Sequence, residues 1–363
     1  MQFIKKDPVL ALSVLAALLS MLLTPPDAGY FSYLNLRVLA LLFCLMAGVA
    51  GLRHIGVLAR LSRALAARVY NPKALALTMV LLCFLASTLL TNDVALLTFV
   101  PFTLVLPPLR DPALRLRVIV METVAANLGS LGTPIGNPQN LFLYTYFQMT
   151  ADRFFSDIAP LWVLSLVLVV SLTLLLCRGG IQALPEPMPE EPPLPAFRLG
   201  EYAVLLILCL LTVFGILDWR LTLAAVVVTL LLCDRSLLSA VDYGLLLTFV
   251  CFFIFVGNLG RCASVANLLE KLLTGRERLI SALVSQVISN VPAAAMLAPF
   301  TDNARGLILG TNIGGLGTPV ASMASLISYK LYAASEAPEK GRYLRFFSVI
   351  NFGLLALLLL LIR

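Results

Sequence analysis

Long apolar segments separated by short polar connections run along the whole chain. A helix that crosses a bilayer needs about 20 mainly apolar residues. Segments suited to this role lie at 8–24, 33–51, 117–149, 158–177, 200–217, 220–233, 239–259, 304–334 and 343–362. Two further apolar stretches, 73–108 and 277–301, are each split by a polar tip, TND at 91–93 and SN at 289–290. The pattern predicts an all-α polytopic membrane protein.

The two stretches with polar tips are too short to cross twice. The second has roughly 12 residues on either side of its tip, which gives about 18 Å of helix against a hydrocarbon core of about 30 Å. We therefore predict two re-entrant helical hairpins, 73–108 and 277–301, that reach the middle of the bilayer and turn back.

Two of the predicted spans carry an interruption rich in glycine and proline. Residues 127–140 read NLGSLGTPIGNPQN, and residues 312–319 read NIGGLGTP, matching 127–134 at six of eight positions with an offset of 185. The hairpins share Ser87/Ser285, Asn92/Asn290, Pro101/Pro299 and Phe102/Phe300 with an offset of 198. Two motifs repeated in the same order predict a duplicated unit with two broken transmembrane helices.

The duplication predicts the boundaries of the domains. The first membrane repeat spans 1–178, with the hairpin at 73–108 and the broken helix at 117–149. A proline-rich cytoplasmic linker at 179–199 and an extra span at 200–217 precede the second repeat, 218–363, which holds the hairpin at 277–301 and the broken helix at 304–334. Each repeat makes four crossings, so the extra span turns the second copy over and predicts an inverted repeat. The segments 52–70 and 261–276 are predicted as helices in the interface, or alternatively as hinges.

Composition and charge agree with a membrane location. The chain is 60% hydrophobic and 12% charged, whereas soluble domains carry charge on roughly a quarter of their residues. Seventeen of the 26 Lys and Arg residues fall on one side of the predicted topology, which predicts a cytoplasmic N-terminus. The net charge of +7 arises in short loops, so we expect contact with the lipid bilayer and no nucleic acid. Trp162 and Trp219 are predicted as interfacial anchors.

Enzymatic and metal-dependent functions have little support in the sequence. The seven cysteines lie in apolar segments without a CxxC pair, and the one histidine is His54. No nucleophile and base stand at a recognisable spacing. We therefore expect no enzyme activity and no cofactor.

The helix breaks and hairpin tips supply the candidate binding residues. Irregular backbone inside a membrane is tolerated only where its polar groups are satisfied. We interpret the satisfying group as an ion, water or a substrate; the alternative is a pair of packing kinks with glycines for close helix approach. Expected substrate-binding residues are Thr91, Asn92, Thr133, Asn137, Asn140, Ser289, Asn290, Thr318 and Ser322. Expected ion-binding or proton-carrying residues are Asp93, Asn127, Gly132, Asn312 and Gly317, with Na⁺ expected at Asn92, Asp93, Asn127 and Gly132.

Two acidic residues in apolar surroundings have open roles. Asp93 at the first tip is interpreted as a Na⁺ ligand, a proton carrier or the N-cap of the returning helix. Glu122 is placed nearer the entrance, or paired with a loop arginine. Asn137 and Asn140 are expected on the side of the site that holds Asp93.

The motifs TNDVAL, GSLGTPIGNPQN and SQVISNVP resemble those of the ion transporter superfamily. That group includes divalent anion/sodium symporters, citrate–metal transporters, arsenite pump membrane subunits and a class of sodium–proton antiporters. The sequence looks most like small bacterial inner-membrane permeases of that superfamily. The resemblance implies that the Asn and Thr of each tip contact a substrate carboxylate and that carbonyls of the tips and broken loops bind sodium. It also implies that a homodimer is one arrangement. Dicarboxylate symporters have Ser-Asn-Thr at both tips, whereas this chain has Thr91-Asn92-Asp93 and Ser289-Asn290-Val291.

These observations together predict a secondary active transporter in a bacterial inner membrane. Its expected cargo is a small, carboxylate-like anion coupled to Na⁺ or H⁺. The alternatives are cation–proton antiport or efflux of arsenite or another oxyanion with Asp93 as the carrier, and, from another class, a channel.

Overall fold

The computed structural model describes residues 8–27, 29–66, 69, 71–106, 109, 111–178 and 194–362. All regular secondary structure within these ranges is helical. The predicted linker at 179–199 lies outside the described residues up to position 193.

The helices follow the predicted segments closely. In chain order they are α1 (Pro8–Leu23), α2 (Tyr30–Tyr33), α3 (Leu36–His54), α4 (Val57–Ala66), α5 (Pro72–Leu89), α6 (Asn92–Val105), α7 (Pro112–Ser130), α8 (Pro138–Tyr146), α9 (Ala151–Leu176), α10 (Ala196–Val213), α11 (Trp219–Cys233), α12 (Tyr243–Arg261), α13 (Ala263–Leu273), α14 (Glu277–Ile288), α15 (Asn290–Leu297), α16 (Ala304–Gly314), α17 (Met323–Ala333) and α18 (Lys340–Leu361). Segments of 3₁₀-helix cover Arg235–Ala240, Ala298–Phe300 and Pro319–Ala321.

Six helices in the described part of the chain are long and apolar enough to cross a membrane. They are α3, α5, α9, α10, α12 and α18. The prediction of an all-α polytopic membrane protein is therefore confirmed. Arms α14 and α15 of the second hairpin have 12 and 8 residues, short of a full crossing. Re-entry of the hairpins into the bilayer remains a prediction.

Local chemistry sets the ends of the helices that carry the candidate site. The Asn71 side chain accepts hydrogen bonds from two backbone amides at the start of α5, and Pro72 occupies its first turn. Helix α7 ends at Ser130 and α8 begins at Pro138. Pro134 between them has no amide hydrogen to continue a helix. The predicted break in this span is therefore a non-helical loop at 131–137.

The chain folds into two compact units. The Asp93 unit comprises Val49–Asn137, Phe155–Val204 and Leu316–Arg363. Its buried centre is α7, which packs against α5, α6, α17 and α18. Every residue of α7 from Val118 to Ser130 is buried.

The Asn312 unit comprises Met1–Gly48, Pro138–Phe154 and Leu205–Gly315. Helix α16 packs there against α14, α15 and α8. Each unit therefore contains one hairpin, the half-helix that follows that hairpin in sequence, and the second half of the other broken helix. The repeat boundaries and the inverted orientation remain predictions.

Candidate functional site

The loop at 131–137 in the Asp93 unit is fastened to the first hairpin. The Thr133 hydroxyl donates to the carbonyl oxygen of Thr88 (2.6 Å), and the Thr88 hydroxyl donates to that of Gly129 (2.7 Å). The amide of Asn92 at the hairpin tip donates to the carbonyl of Gly136 (3.2 Å). A β-carbon at Gly129 would overlap the carbonyl oxygen of Phe84, so the close approach requires glycine. Hairpin and loop thus form one polar assembly.

The tip of this hairpin is organised by Thr91. Its side chain accepts a hydrogen bond from the Val94 amide and is the N-cap of α6. Asn92 is buried and turns its Oδ1 to the Asp93 amide (3.0 Å). Asp93 is half-buried in the first turn of α6, where the helix dipole stabilises a negative charge. The N-cap interpretation of Asp93 was wrong, because Thr91 takes that position.

Buried polar side chains on α7 and α17 pair along the contact between these helices. Asn127 donates through Nδ2 to the Ser325 hydroxyl (3.2 Å) and accepts through Oδ1 from Ser322 (2.9 Å). Thr123 donates to Ser328 (2.6 Å), whose hydroxyl lies 3.1 Å from that of Tyr343. These contacts form a continuous polar seam in the interior of the Asp93 unit.

The Asn312 unit contains a corresponding arrangement. Asn312 donates through Nδ2 to Oδ1 of Asn140 (2.6 Å), and both side chains are buried. Gln286 of the second hairpin donates to the carbonyl of Gly314 (2.9 Å). A β-carbon added to Gly315 would lie 2.8 Å from Nδ2 of Asn290. The second helix break is therefore also packed against a hairpin tip.

Contacts in one unit recur in the other at the offsets found in the sequence. The bond from Thr88 to Gly129 corresponds to that from Gln286 to Gly314, since the offsets are 198 and 185. The pair Asn127–Ser325 corresponds to Asn312–Asn140. A duplicated unit would produce this recurrence.

The second tip contains a strained residue. Ser289 joins α14 to α15 with φ of 75° and ψ of 154°, a region that is essentially restricted to glycine and costs about 1–3 kcal/mol for other residues. Its side chain is almost completely buried, and its hydroxyl lies 3.5 Å from Oδ1 of Asn290. Such strain persists where the surrounding structure enforces it and is frequent at ligand sites.

The two units divide the predicted site residues unequally. The Asp93 unit holds Thr91, Asn92, Asp93, Asn127, Gly132, Thr133, Asn137, Gly317, Thr318 and Ser322, and the Asn312 unit holds Asn140, Ser289, Asn290 and Asn312. Asn137 donates to the Ser130 hydroxyl (3.1 Å). Gly317 has φ of 102°, a value that favours glycine.

Two sequence expectations need correction. Asn140 does not accompany Asn137 on the side of Asp93, because the loop lets α8 pack on α15 and α16 in the Asn312 unit. Among the described residues, Glu122 pairs with no loop arginine. Its side chain is fully buried and accepts a hydrogen bond from Thr103 of α6.

Several residues of these clusters had not been singled out as site residues. Thr88 and Trp162 contact the break directly: the Trp162 indole donates to the carbonyl of Gly129 (3.3 Å). Thr123 and Ser328 extend the polar seam. The signal available for the seam was the spacing of three between Ser322, the N-cap of α17, and Ser325 and Ser328 within that helix.

A cavity of about 580 Å³ in the Asn312 unit lies along α8, α12 and α15. Its walls include Tyr33, Asn35, Phe142, Tyr146 and Pro299. This volume falls within the usual range of about 300–1,000 Å³ for small-molecule pockets.

Apolar helices of spanning length, broken helices and hairpins with buried polar tips define a multi-pass membrane protein with features typical of the transporter class. The family model described as CitMHS, citrate transporter, matches residues 3–307. The chain belongs to the CitMHS citrate transporter family.

Individual relatives agree with this assignment. The chain is 33% identical over 299 residues to the inner membrane protein YbiR of Escherichia coli, covering 79% of this chain and 77% of the relative. It is 31% identical over 264 residues to an uncharacterized transporter of Methanocaldococcus jannaschii, covering 71% of each. It is 32% identical over 151 residues to the silicon efflux transporter LSI3 of Oryza sativa, covering 42% of this chain and 30% of the relative.

Proposed function

We propose that this chain is a secondary active transporter that moves a small, carboxylate-like anion by alternating access, coupled to Na⁺ or H⁺. The observation that carries the proposal is the pairing of a hairpin tip with a helix break in each unit. Each pairing places helix N-termini beside buried Asn, Ser and Thr side chains. Backbone amides at a helix start attract anions, and carbonyls freed at a helix break attract cations.

The coupling ion is proposed to bind near the first tip. Asn92, Asp93, Asn127 and Gly132 belong to the Asp93 unit, and amide, carboxylate and carbonyl oxygens are suitable ligands for Na⁺. In the proton-coupled version, a carboxylate that binds a proton replaces the Na⁺ site. The family's description as citrate transporters supports a carboxylate cargo and makes citrate the first probe.

Efflux is the alternative with support of its own. Part of the chain is similar to a protein named as a silicon efflux transporter, and Asp93 provides an acidic tip. In this version the cargo is an oxyanion or a weak acid, and a proton moves in the opposite direction. A channel is the alternative from another class.

We further propose that the chain resides in a bacterial-type inner membrane with a cytoplasmic N-terminus. The distribution of Lys and Arg supports the orientation, and the similarity to YbiR supports the membrane. A homodimer is the expected assembly.

A thermal-shift screen of the purified protein tests the proposed ligand class. Citrate, other small carboxylates, silicate and arsenite are each added with and without Na⁺, because a ligand that binds the folded state raises the apparent melting temperature. Stabilisation by a carboxylate that is lost in Asn127→Ala supports the proposal. Stabilisation only by silicate or arsenite favours efflux. A protein that responds to no carboxylate contradicts the proposed cargo.

A further inference from the structure

Glu122 is a completely buried carboxyl group in the middle of α7. The Thr103 hydroxyl of α6 donates to Glu122 Oε1 at 2.5 Å, and Thr103 is itself completely buried. The second oxygen, Oε2, is buried and has no hydrogen-bond partner among the described residues. One neutral hydroxyl is therefore the only side-chain partner this part of the chain offers to the carboxyl group.

The other titratable groups around Glu122 are two thiols and a phenol. Cys83 of α5 donates through Sγ to the backbone oxygen of Glu122 (3.3 Å). Cys177, which follows α9, and Tyr343 of α18 also interact with it electrostatically. Within the described ranges, no Lys or Arg forms an ion pair with Glu122.

The charged residues on α7 and on the helices packed against it are exposed, bonded to other groups or about 10 Å or more away along a helix, as is Arg115, seven residues before Glu122. Lys73 of α5 and Lys330 of α17 are exposed. Arg117, on α7 itself, donates to the carbonyl of Leu176 (3.1 Å). Asp93 of α6 lies ten residues before Thr103, which is about 15 Å along a helix. Lys340, Arg342 and Arg345 of α18 are exposed as well.

An ionised carboxylate in this position would be unstable. Burying a charge without a partner costs more free energy than a single hydrogen bond to that charge returns. The arrangement therefore accommodates the neutral acid. Ionisation of Glu122 requires water or a cation to reach Oε2, which is buried in the described structure.

We propose that Glu122 is the proton-binding site of this transporter and that its hydrogen bond to Thr103 links proton binding to the docking of α6 on α7. This inference rests on the proposed transport function and specifies the coupling ion. A proton from water binds Oε2, and the neutral acid lets α6 dock through Thr103. When α6 separates from α7, water reaches the carboxyl group and the proton leaves from the same oxygen.

The coupling of proton binding to the docking of α6 on α7 also affects the proposed substrate site. Helix α6 is the returning arm of the first hairpin and carries Asn92 and Asp93 in its first turn. Helix α7 carries Asn127 five residues after Glu122, on the seam with α17. A change in the contact between α6 and α7 would therefore move the hairpin tip relative to Asn127.

The first experiment measures transport in proteoliposomes, using Glu122→Gln, Asp93→Asn and Glu277→Gln. Glu122→Gln should lose the stimulation of carboxylate uptake by a pH gradient but retain exchange of labelled for unlabelled substrate, because glutamine preserves the acceptor for Thr103. Glu277 is the matched control: it is a buried carboxyl that accepts hydrogen bonds from Thr301 and Asn303, and its variant should keep the stimulation. Full stimulation in Glu122→Gln overturns the proposal, and loss in Asp93→Asn alone assigns the proton to Asp93.

The second experiment does not depend on transport. Infrared difference spectra of reconstituted protein between acidic and alkaline pH should contain the carbonyl band of a titrating buried carboxyl group, and Glu122→Gln should lack this band. Thr103→Val should shift the pH at which the band titrates. A band that survives in Glu122→Gln, or a Glu122 that does not titrate, overturns the inference. Wild-type protein with a titrating Glu122 band but no carboxylate transport contradicts the proposed cargo and leaves the proton site intact.

Discussion

Replacement of Thr88 by valine tests whether the first hairpin and the helix break are held together by the contacts described above. The Thr88 hydroxyl donates to the carbonyl of Gly129 at 2.7 Å and accepts from the Trp162 indole at 3.4 Å. Valine has a similar volume but makes neither bond. In the variant, the Gly129 carbonyl still accepts a hydrogen bond from the Trp162 indole at 3.3 Å. The carbonyl therefore loses one of its two donors and is not left unsatisfied.

The expected loss of stability in Thr88→Val follows from these contacts. A hydrogen bond between neutral groups contributes about 0.5–1.5 kcal/mol to stability, and the bond from the indole is long. We therefore expect Thr88→Val to destabilise the protein by about 1–2 kcal/mol. The apparent melting temperature in detergent should fall by a few degrees, and the affinity for the transported anion should weaken because the loop is less firmly held.

Thr78→Val on the same helix is the matched control. Among the described residues, the Thr78 hydroxyl donates to the carbonyl of Ala74 alone, within α5. Its loss should change stability by less than about 0.5 kcal/mol. Equal melting temperatures for the two variants, or unchanged substrate affinity in Thr88→Val, would refute the view that Thr88 fastens the hairpin to the break.

Three further predictions concern other parts of the chain. Ser289→Gly should raise the melting temperature by relieving a backbone strain of about 1–3 kcal/mol, and an unchanged or lower value would argue against that strain. Gly129→Ala should destabilise strongly because its β-carbon would overlap the Phe84 carbonyl, so a stable, active variant would contradict the close approach. A hydrogen bond from Arg261 lowers the pKa of the exposed Asp27 carboxyl below its ordinary value of 3.8. The ionised Asp27 carboxyl therefore stabilises the protein above pH 3.8, and this stabilisation is lost as the pH falls through the lowered pKa. Asp27→Asn should reduce the melting temperature at neutral pH but not in strong acid. Equal slopes of melting temperature against pH for the wild type and the variant would exclude this linkage.

Much of the fold follows from patterns within single segments. The length of the apolar segments predicted the helices, and the polar tips predicted the turns at Thr91 and Ser289. The glycine and proline run gave the end of α7 at Ser130. These features depend on local hydrophobicity, on capping and on the missing amide of proline, all of which can be read from neighbouring residues.

The grouping of the site residues could not be predicted in the same way. Asn140 lies only three residues after Asn137, yet the two belong to different compact units. Which unit receives a half-helix depends on tertiary packing of α8 against α15 and α16. The N-cap interpretation of Asp93 failed because Thr91, a residue type that also caps helices well, takes that position.

The surroundings of Glu122 illustrate the same limit. An acidic residue in an apolar segment predicts a functional or paired group, but its partner Thr103 lies on another helix, 19 residues earlier. The pairing becomes visible only when α6 and α7 are placed side by side.

Concentrative uptake by proteoliposomes tests the central claim most directly. Labelled citrate is supplied outside, with an inward gradient of Na⁺ or of H⁺ or with neither. We predict saturable uptake above equilibrium that requires one of the gradients and is lost in Asn127→Ala. Uptake that only equilibrates regardless of gradient, or no uptake of citrate or any other small carboxylate, would contradict a coupled carboxylate transporter.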